Sequence, residues 1–365
     1  MSLPLRRSYA AMEAQLVDEL PVGPGWQYEP KWDGFRCLAF RDGDRIDVMS
    51  KAGKPLARYF PDVVELLREI DAPRFVLDGE IVIPLDGSLS FDELLLRIHP
   101  AKSRVEKLSR EHPAALVAFD LLVDANGESL VKLPLAERRA RLEAFLDQRV
   151  PRGARVWLSP ATTTMATVKA WFRSVGGGLD GVVAKRLDLP YQSGERIGMQ
   201  KMKHMRTADC VVGGFRYASK GGLVGSLLLG LYDGAGLLHH VGFTSSIKAA
   251  DKAALTKKLE RLIKPPGFTG QAPGAPSRWS TARSAEWKPL APKLVVEVQY
   301  DHFDGGRFRH GTGFLRWRPD KNPRQCTIEQ VEQEGRSAMK LLTTAAGAAR
   351  RPQGRSAAAR ARTRR

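Results

Sequence analysis

Residues 29–36 read Glu29-Pro30-Lys31-Trp32-Asp33-Gly34-Phe35-Arg36, and the Lys-x-Asp-Gly-x-Arg spacing inside them decides how the rest of the chain is read. It sets a primary amine beside an acid, a tight-turn glycine and an arginine, at the end of an expected strand. A lysine nucleophile needs neighbours that lower its pKa and hold its target phosphate. At ordinary composition such a pattern arises by chance about once per 10⁵ windows. A charged hairpin shoulder is the plain alternative, so the surrounding sequence must decide.

Working outward, Phe35–Phe40 and Arg45–Ser50 flank an Asp-Gly turn and predict a hairpin. Proline at the first turn, with Val63, Val64, Leu66, Leu67 and Ile70 on one face, predicts a helix from Pro61 to Ile70. Short apolar strands are expected at Phe75–Ile83, Ala115–Val123 and Gly181–Lys185, with helices at Phe91–Ile98, Leu135–Asp147 and Met165–Ser174. Strands and helices mixed without regular alternation indicate an α+β fold rather than a wound parallel sheet. After about residue 205 the texture changes. Strands at Cys210–Tyr217, Ser226–Tyr232, Leu237–Phe243, Leu294–Tyr300 and Phe314–Trp317, with one helix at Ala249–Ile263, fit a small barrel such as an OB-fold. The expected division is 1–205, 206–335 and a tail over 336–365.

The 365 residues carry a net charge of +18, which favours polyanionic partners. Residues 343–365 hold seven arginines and no acid, too little apolar material for a core, and are read as a disordered basic tail. Without those arginines the charge is still +11, so the basic character is not confined to the tail. Arg6 and Arg7 precede no apolar run, and no stretch approaches a membrane span. Cys37, Cys210 and Cys326 are scattered singly, without disulfide or zinc spacing. The expectation is a reduced, cytoplasmic setting.

Chemistry-bearing residues recur at strand ends in a fixed order: Asp78-Gly79-Glu80, Phe119, Asp180-Gly181-Val182-Val183-Ala184-Lys185, then Lys201 and Lys203 on one face of an extended segment. Arg316-Trp317-Arg318-Pro319-Asp320-Lys321 follows in the barrel-like part. In this order, with Ser50-Lys51-Ala52-Gly53, Phe60-Pro61 and Ala208–Phe215, the chain resembles the ATP-dependent DNA ligases, relatives of mRNA capping enzymes. The resemblance covers about residues 25–335 and is strongest to the compact bacterial ligase C proteins and the ligase module of bacterial ligase D.

That resemblance implies a nucleotidyltransferase domain followed by an OB-fold domain, acting as a monomer on nicked double-stranded DNA and associated with the nucleoid when bound to it. It makes Lys31 the nucleophile that takes AMP from ATP, with Asp33 beside it. Glu29 reads the adenine amino group, Phe119 and Val183 sandwich the ring, and Arg36, Lys51 and Arg196 contact ribose or phosphates. Lys201 and Lys203 supply positive charge at the α-phosphate and lower the pKa of Lys31. Glu80 and Asp180 are hard oxygen donors for Mg²⁺ or Mn²⁺, or, for Glu80, ribose. Arg318, Asp320 and Lys321 orient pyrophosphate in the first step. The sequence departs from many relatives at Met199-Gln200, where tryptophan is common, at Lys51 for arginine and at Asp180 for glutamate. Asp78 is equally readable as a turn brace, and Arg318–Asp320 as a surface ion pair. An RNA ligase, a capping-type guanylyltransferase and a catalytically silent DNA-binding protein on the same fold remain alternatives at this level.

Overall fold

The protein is described from a computed structural model, over residues 3–175, 179–219, 221–274, 286–331 and 339–342. It divides into two compact units, Met1–Met202 with Gly335–Arg365, and Lys203–Glu334. The expected basic tail over 343–365 lies outside the described residues. Leu341 and Leu342, which the sequence reading gave to the tail, are instead buried in the apolar cluster around Tyr28, Trp32 and Val182.

The first unit is built on a five-stranded sheet ordered Arg45–Ser50, Phe35–Asp42, Arg74–Val82, Ala115–Val123, Val156–Leu158. The pairs are antiparallel up to the last, which is parallel. Alternation along these strands separates two cores. Cys37, Ala39, Leu77, Leu116 and Ala118 join one with the helix Pro61–Arg68, while Leu38, Phe40, Val76 and Leu122 join the other with Met12, Tyr191 and Met199. A second sheet orders Gln15–Leu16, Met199–Lys203, Gly181–Arg186 and Trp26–Pro30. The strands carrying Glu29 and Val183 are therefore neighbours, and those two residues face each other in register.

The second unit is an antiparallel sheet ordered Leu238–Thr244, Val224–Tyr232, Arg206–Tyr217, Val295–Tyr300, Gly313–Trp317. Its two edges meet where Thr312 N donates to Phe243 O at 3.1 Å, which curls the sheet toward a barrel around Phe215, Leu229, Val296 and Val298. This is the OB-fold layout. The expected helix over 249–263 is shorter, a 3₁₀ turn at Ala249–Asp251 followed by Lys252–Glu260.

Two elements differ from the sequence reading for clear reasons. The helix Lys102–Glu111 was not expected, because its only buried residue is Val105 and it offers no apolar stripe to read. Gly34 is not a left-handed turn residue. A Cβ there would lie 2.3 Å from Ile81 O and 2.8 Å from Glu80 Cγ, so the glycine permits a close backbone approach.

Candidate active site

Lys31 follows the end of the strand Trp26–Pro30, and its N–H donates to Gly181 O at 2.9 Å. Trp32 anchors the next position: its ring is buried and Nε1 donates to Ser159 Oγ at 3.0 Å. With its neighbour fixed, the Lys31 side chain is aimed into a pocket of about 230 Å³. Glu29, Arg36, Lys51, Glu80, Phe119, Val183, Lys185 and Lys201 line the same pocket.

The strand register explains this convergence. Arg36 faces Glu80 across neighbouring strands, and Glu80 faces Val117 on the next. Between the pairs Asp78–Asp120 and Gly79–Ala118 the ladder shifts by one residue, leaving Phe119 as the extra, unpaired residue. A bulge re-aims its side chain, and Phe119 is the one half-buried residue in an otherwise buried strand. Its ring meets the ammonium of Lys185 at 4.5 Å and the guanidinium of Arg36 at 5.4 Å from the ring centre.

Lys31 Nζ is hydrogen-bonded and ion-paired to Asp180 Oδ2. Asp180, read from sequence as a metal ligand, thus touches the nucleophile candidate directly. Burial pushes the Glu80 carboxyl up to about 8, Lys31 and Arg36 opposing the rise and Asp78 and Asp33 adding to it. A buried carboxyl held partly protonated in this way is one that a cation would ionise. Glu80 lines the pocket, and its carboxyl is of the donor type a hard divalent ion takes; Asp180 is instead paired with Lys31 and is not among the pocket's lining residues.

Asp78 is more than a turn brace. Its carboxylate, 1% exposed, accepts from Arg36 Nε at 3.1 Å and Nη2 at 2.8 Å, and from Tyr191 Oη at 2.6 Å. The Arg36 guanidinium is raised further above its ordinary value, burial opposing and Asp78 driving the rise. The facing Asp120 has its own partner, Arg138, with both bonds at 2.9 Å. Two buried acids sit in register because each carries its own arginine.

Other residues fall elsewhere. Arg196 does not line the pocket; it is 70% exposed and its Nε donates to Glu13. Lys203, in the second unit, pairs with Asp301 at 2.9 Å instead of lining the pocket with Lys201. In that unit Arg318 binds Asp320 through Nε and Nη2, and through Nη1 it also binds Asp209 at 2.9 and 3.0 Å. Lys321 Nζ donates to Asp209 at 2.8 Å. The Arg318–Asp320 pair is therefore part of a network centred on an acid that the sequence reading passed over. The Arg318 bonds hold the Asp320 carboxyl down at about 2.

Sequence reasoning also missed Lys185 and Gln27. Lys185 Nζ lies 2.8 Å from Glu29 Oε1, and Gln27 Nε2 donates to the same oxygen at 2.8 Å. Strand periodicity carried a signal for both, since Lys185 shares a face with Val183, and Gln27 with Glu29.

A nucleotidyltransferase domain followed by an OB-fold domain is the class that this fold and its lysine-bearing pocket define. A family model for the ATP dependent DNA ligase domain matches residues 11–203, and one for the ATP dependent DNA ligase C terminal region matches 220–321. DNA ligase C2 of Mycolicibacterium smegmatis is 44% identical over 348 residues, spanning 91% of this chain and 96% of that protein. DNA ligase C of Mycobacterium tuberculosis is 42% identical over 347 residues, with the same two coverages, 91% and 96%. A solved Lig E DNA ligase shares the fold at 16% identity, with a TM-score of 0.52, covering 85% of this chain and 99% of that one. The chain belongs to the ATP-dependent DNA ligase family. Its reaction uses ATP.

Proposed function

We propose that the protein seals nicks between 3′-hydroxyl and 5′-phosphate ends of duplex DNA through an adenylated Lys31. The observation that carries this reading is the gathering of Lys31, Lys201, Glu29, Glu80, Arg36, Lys51, Phe119 and Val183 around one pocket. The reading takes the first unit as the adenylation domain, the second as the OB domain, and the whole as a monomer serving DNA repair.

In the first step Lys31 Nζ attacks the α-phosphorus of ATP and pyrophosphate leaves. The attacking amine must be neutral, and the Asp180 carboxylate accepts its hydrogen bond and orients it. Lys201 offsets charge at the α-phosphate, Lys203 being held by Asp301, while Arg36, fixed by Asp78, and Lys51 act on ribose or phosphate oxygens. Oε1 of Glu29 is taken by Lys185 and Gln27, so Oε2 is left to accept from the adenine amine. A guanine carbonyl would oppose that carboxylate. Phe119 and Val183 sandwich the base, and Asp33 supports the nucleophile's loop. Mg²⁺ or Mn²⁺ held by Glu80 would supply neutralising charge to the phosphates. Arg318, Asp320 and Lys321 orient pyrophosphate in this step. AMP then passes from Lys31 to the 5′-phosphate, and the 3′-hydroxyl displaces it.

Incubation with α-labelled ATP, followed by a chase with nicked DNA, tests the reading. Label should attach covalently to the wild type and leave on the chase. Lys31→Ala and Lys31→Arg should both fail to label, the second because a guanidinium does not become a neutral nucleophile. Equal labelling of Lys31→Ala overturns the proposal.

A further inference from the structure

An acid sits at the rim of the pocket on a strap that main-chain bonds hold in place. Residues 10–17 run along the segment 191–201. Ser193 Oγ donates to Ala10 O at 2.8 Å, and Met12 N donates to Tyr191 Oη at 2.9 Å. Glu13 N donates to Glu195 O at 2.8 Å, and Val17 N to Lys201 O at 3.0 Å. Gln15 and Leu16 pair in parallel with Gln200 and Lys201. Ala11 and Met12 are buried, and Ala14 lines the pocket. The backbone of Glu13 is thus positioned whatever its side chain does.

From that position one carboxylate takes two cations. Oε1 lies 3.3 Å from Lys51 Nζ, and Oε2 lies 3.1 Å from Arg196 Nε. Lys51 lines the pocket and is the cation assigned above to ribose or phosphate oxygens, so the Glu13 carboxylate neutralises a charge that a bound nucleotide would use. Bonds from Arg196 and Lys51 lower the Glu13 carboxyl below the ordinary glutamate range, and it is an anion at neutral pH.

We propose that Glu13 is an internal counter-ion that competes with the polyphosphate of ATP for Lys51, its other oxygen being held by Arg196 outside the pocket. The inference rests on the reading that this pocket binds ATP. An interaction made in the free enzyme and given up in the ATP complex raises KM. The same carboxylate returns to Lys51 as pyrophosphate leaves, favouring departure of the first product. The strap therefore tunes the reversible adenylation step and leaves the chemistry to Lys31.

Glu13→Gln keeps the shape and removes the charge. Lys31 labelling should then saturate at about two- to fivefold lower ATP, the worth of one half-exposed ion pair. Pyrophosphate should discharge the labelled protein at correspondingly lower concentration, and both shifts should shrink as salt rises. Adding Lys51→Met to Glu13→Gln should abolish most of the gain, because the two groups act through one ion pair. Glu13→Asp, which keeps the charge but withdraws it by one methylene, should fall between wild type and Glu13→Gln. An unchanged or higher ATP requirement in Glu13→Gln overturns the proposal, the higher value meaning that Glu13 only positions its cations. Failure of the wild type to label at all would instead overturn the ATP reading of the pocket.

Discussion

Arg36 and Asp78 are joined by two parallel hydrogen bonds, at 3.1 and 2.8 Å, deep enough that the aspartate is 1% exposed. Arg36 lines the pocket and Asp78 does not. The acid therefore works through the arginine. Asp78→Ala should cost about 3–5 kcal/mol, the loss that follows when one partner of a buried pair is removed. Urea unfolding measures it. Labelling by ATP should also weaken, and Arg36→Met in the same background should recover part of the stability.

Lys185 holds Glu29 from one side while its ammonium rests over Phe119. Lys185→Met should leave Glu29 Oε1 to Gln27 and loosen the carboxylate that faces the base. Selectivity for ATP over GTP should fall about tenfold, equivalent to one interaction of about 1.4 kcal/mol. Competition between the two labelled nucleotides reads it. An unchanged ratio would separate Lys185 from base recognition.

The Glu80 carboxyl titrates near 8 when folded, against an ordinary 4.5. A carboxyl with a higher pKa in the folded state binds more protons there between those values, so its contribution to stability falls as pH rises from about 4.5 to 8. Glu80→Gln should thus be more stable than wild type at pH 8, with the advantage shrinking toward pH 5. Denaturant melts across that range give the comparison. Mg²⁺ or Mn²⁺ should raise the wild-type unfolding midpoint at pH 8 and leave Glu80→Gln nearly unmoved.

Asp209 gathers Arg318 and Lys321 through bonds of 2.8 to 3.0 Å. Asp209→Ala should release Lys321 and loosen Arg318, which keeps its bonds to Asp320, and slow Lys31 labelling by at least about tenfold, as expected when charge-assisted bonds worth roughly 1.5–3 kcal/mol are lost. Closure of a nick that already carries AMP should be spared, because these residues are assigned to the pyrophosphate step. A rate assay on pre-adenylated nicks distinguishes the two.

The seven arginines of residues 343–365 predict a salt effect. Removing that segment should weaken binding to nicked duplex and flatten the dependence of log affinity on log salt by up to about 6, at about 0.9 for each phosphate that an arginine neutralises. Equal slopes for the two proteins would remove the segment from DNA binding.

The sequence by itself determined the octet around Lys31, the order of polar strand ends and the change of texture near residue 205. Those are local facts, since residue type and a period of two fix which side chains share a strand face. The family resemblance carried by those motifs assigned Glu29, Glu80, Val183 and Lys201 together, and they do line one pocket. Partners were a different matter. Asp180 reaches Lys31 across 149 residues, and Asp209 reaches Arg318 across 109. The bulge that frees Phe119 depends on the register between two strands, and that register is set by how their buried faces pack. Only the tertiary structure decided that Asp78 braces Arg36, that Lys203 turns to Asp301, and that Glu13 stands between Lys51 and Arg196. A charge pattern along a chain names the candidates; burial and register, which act over long sequence separations, choose the pairs.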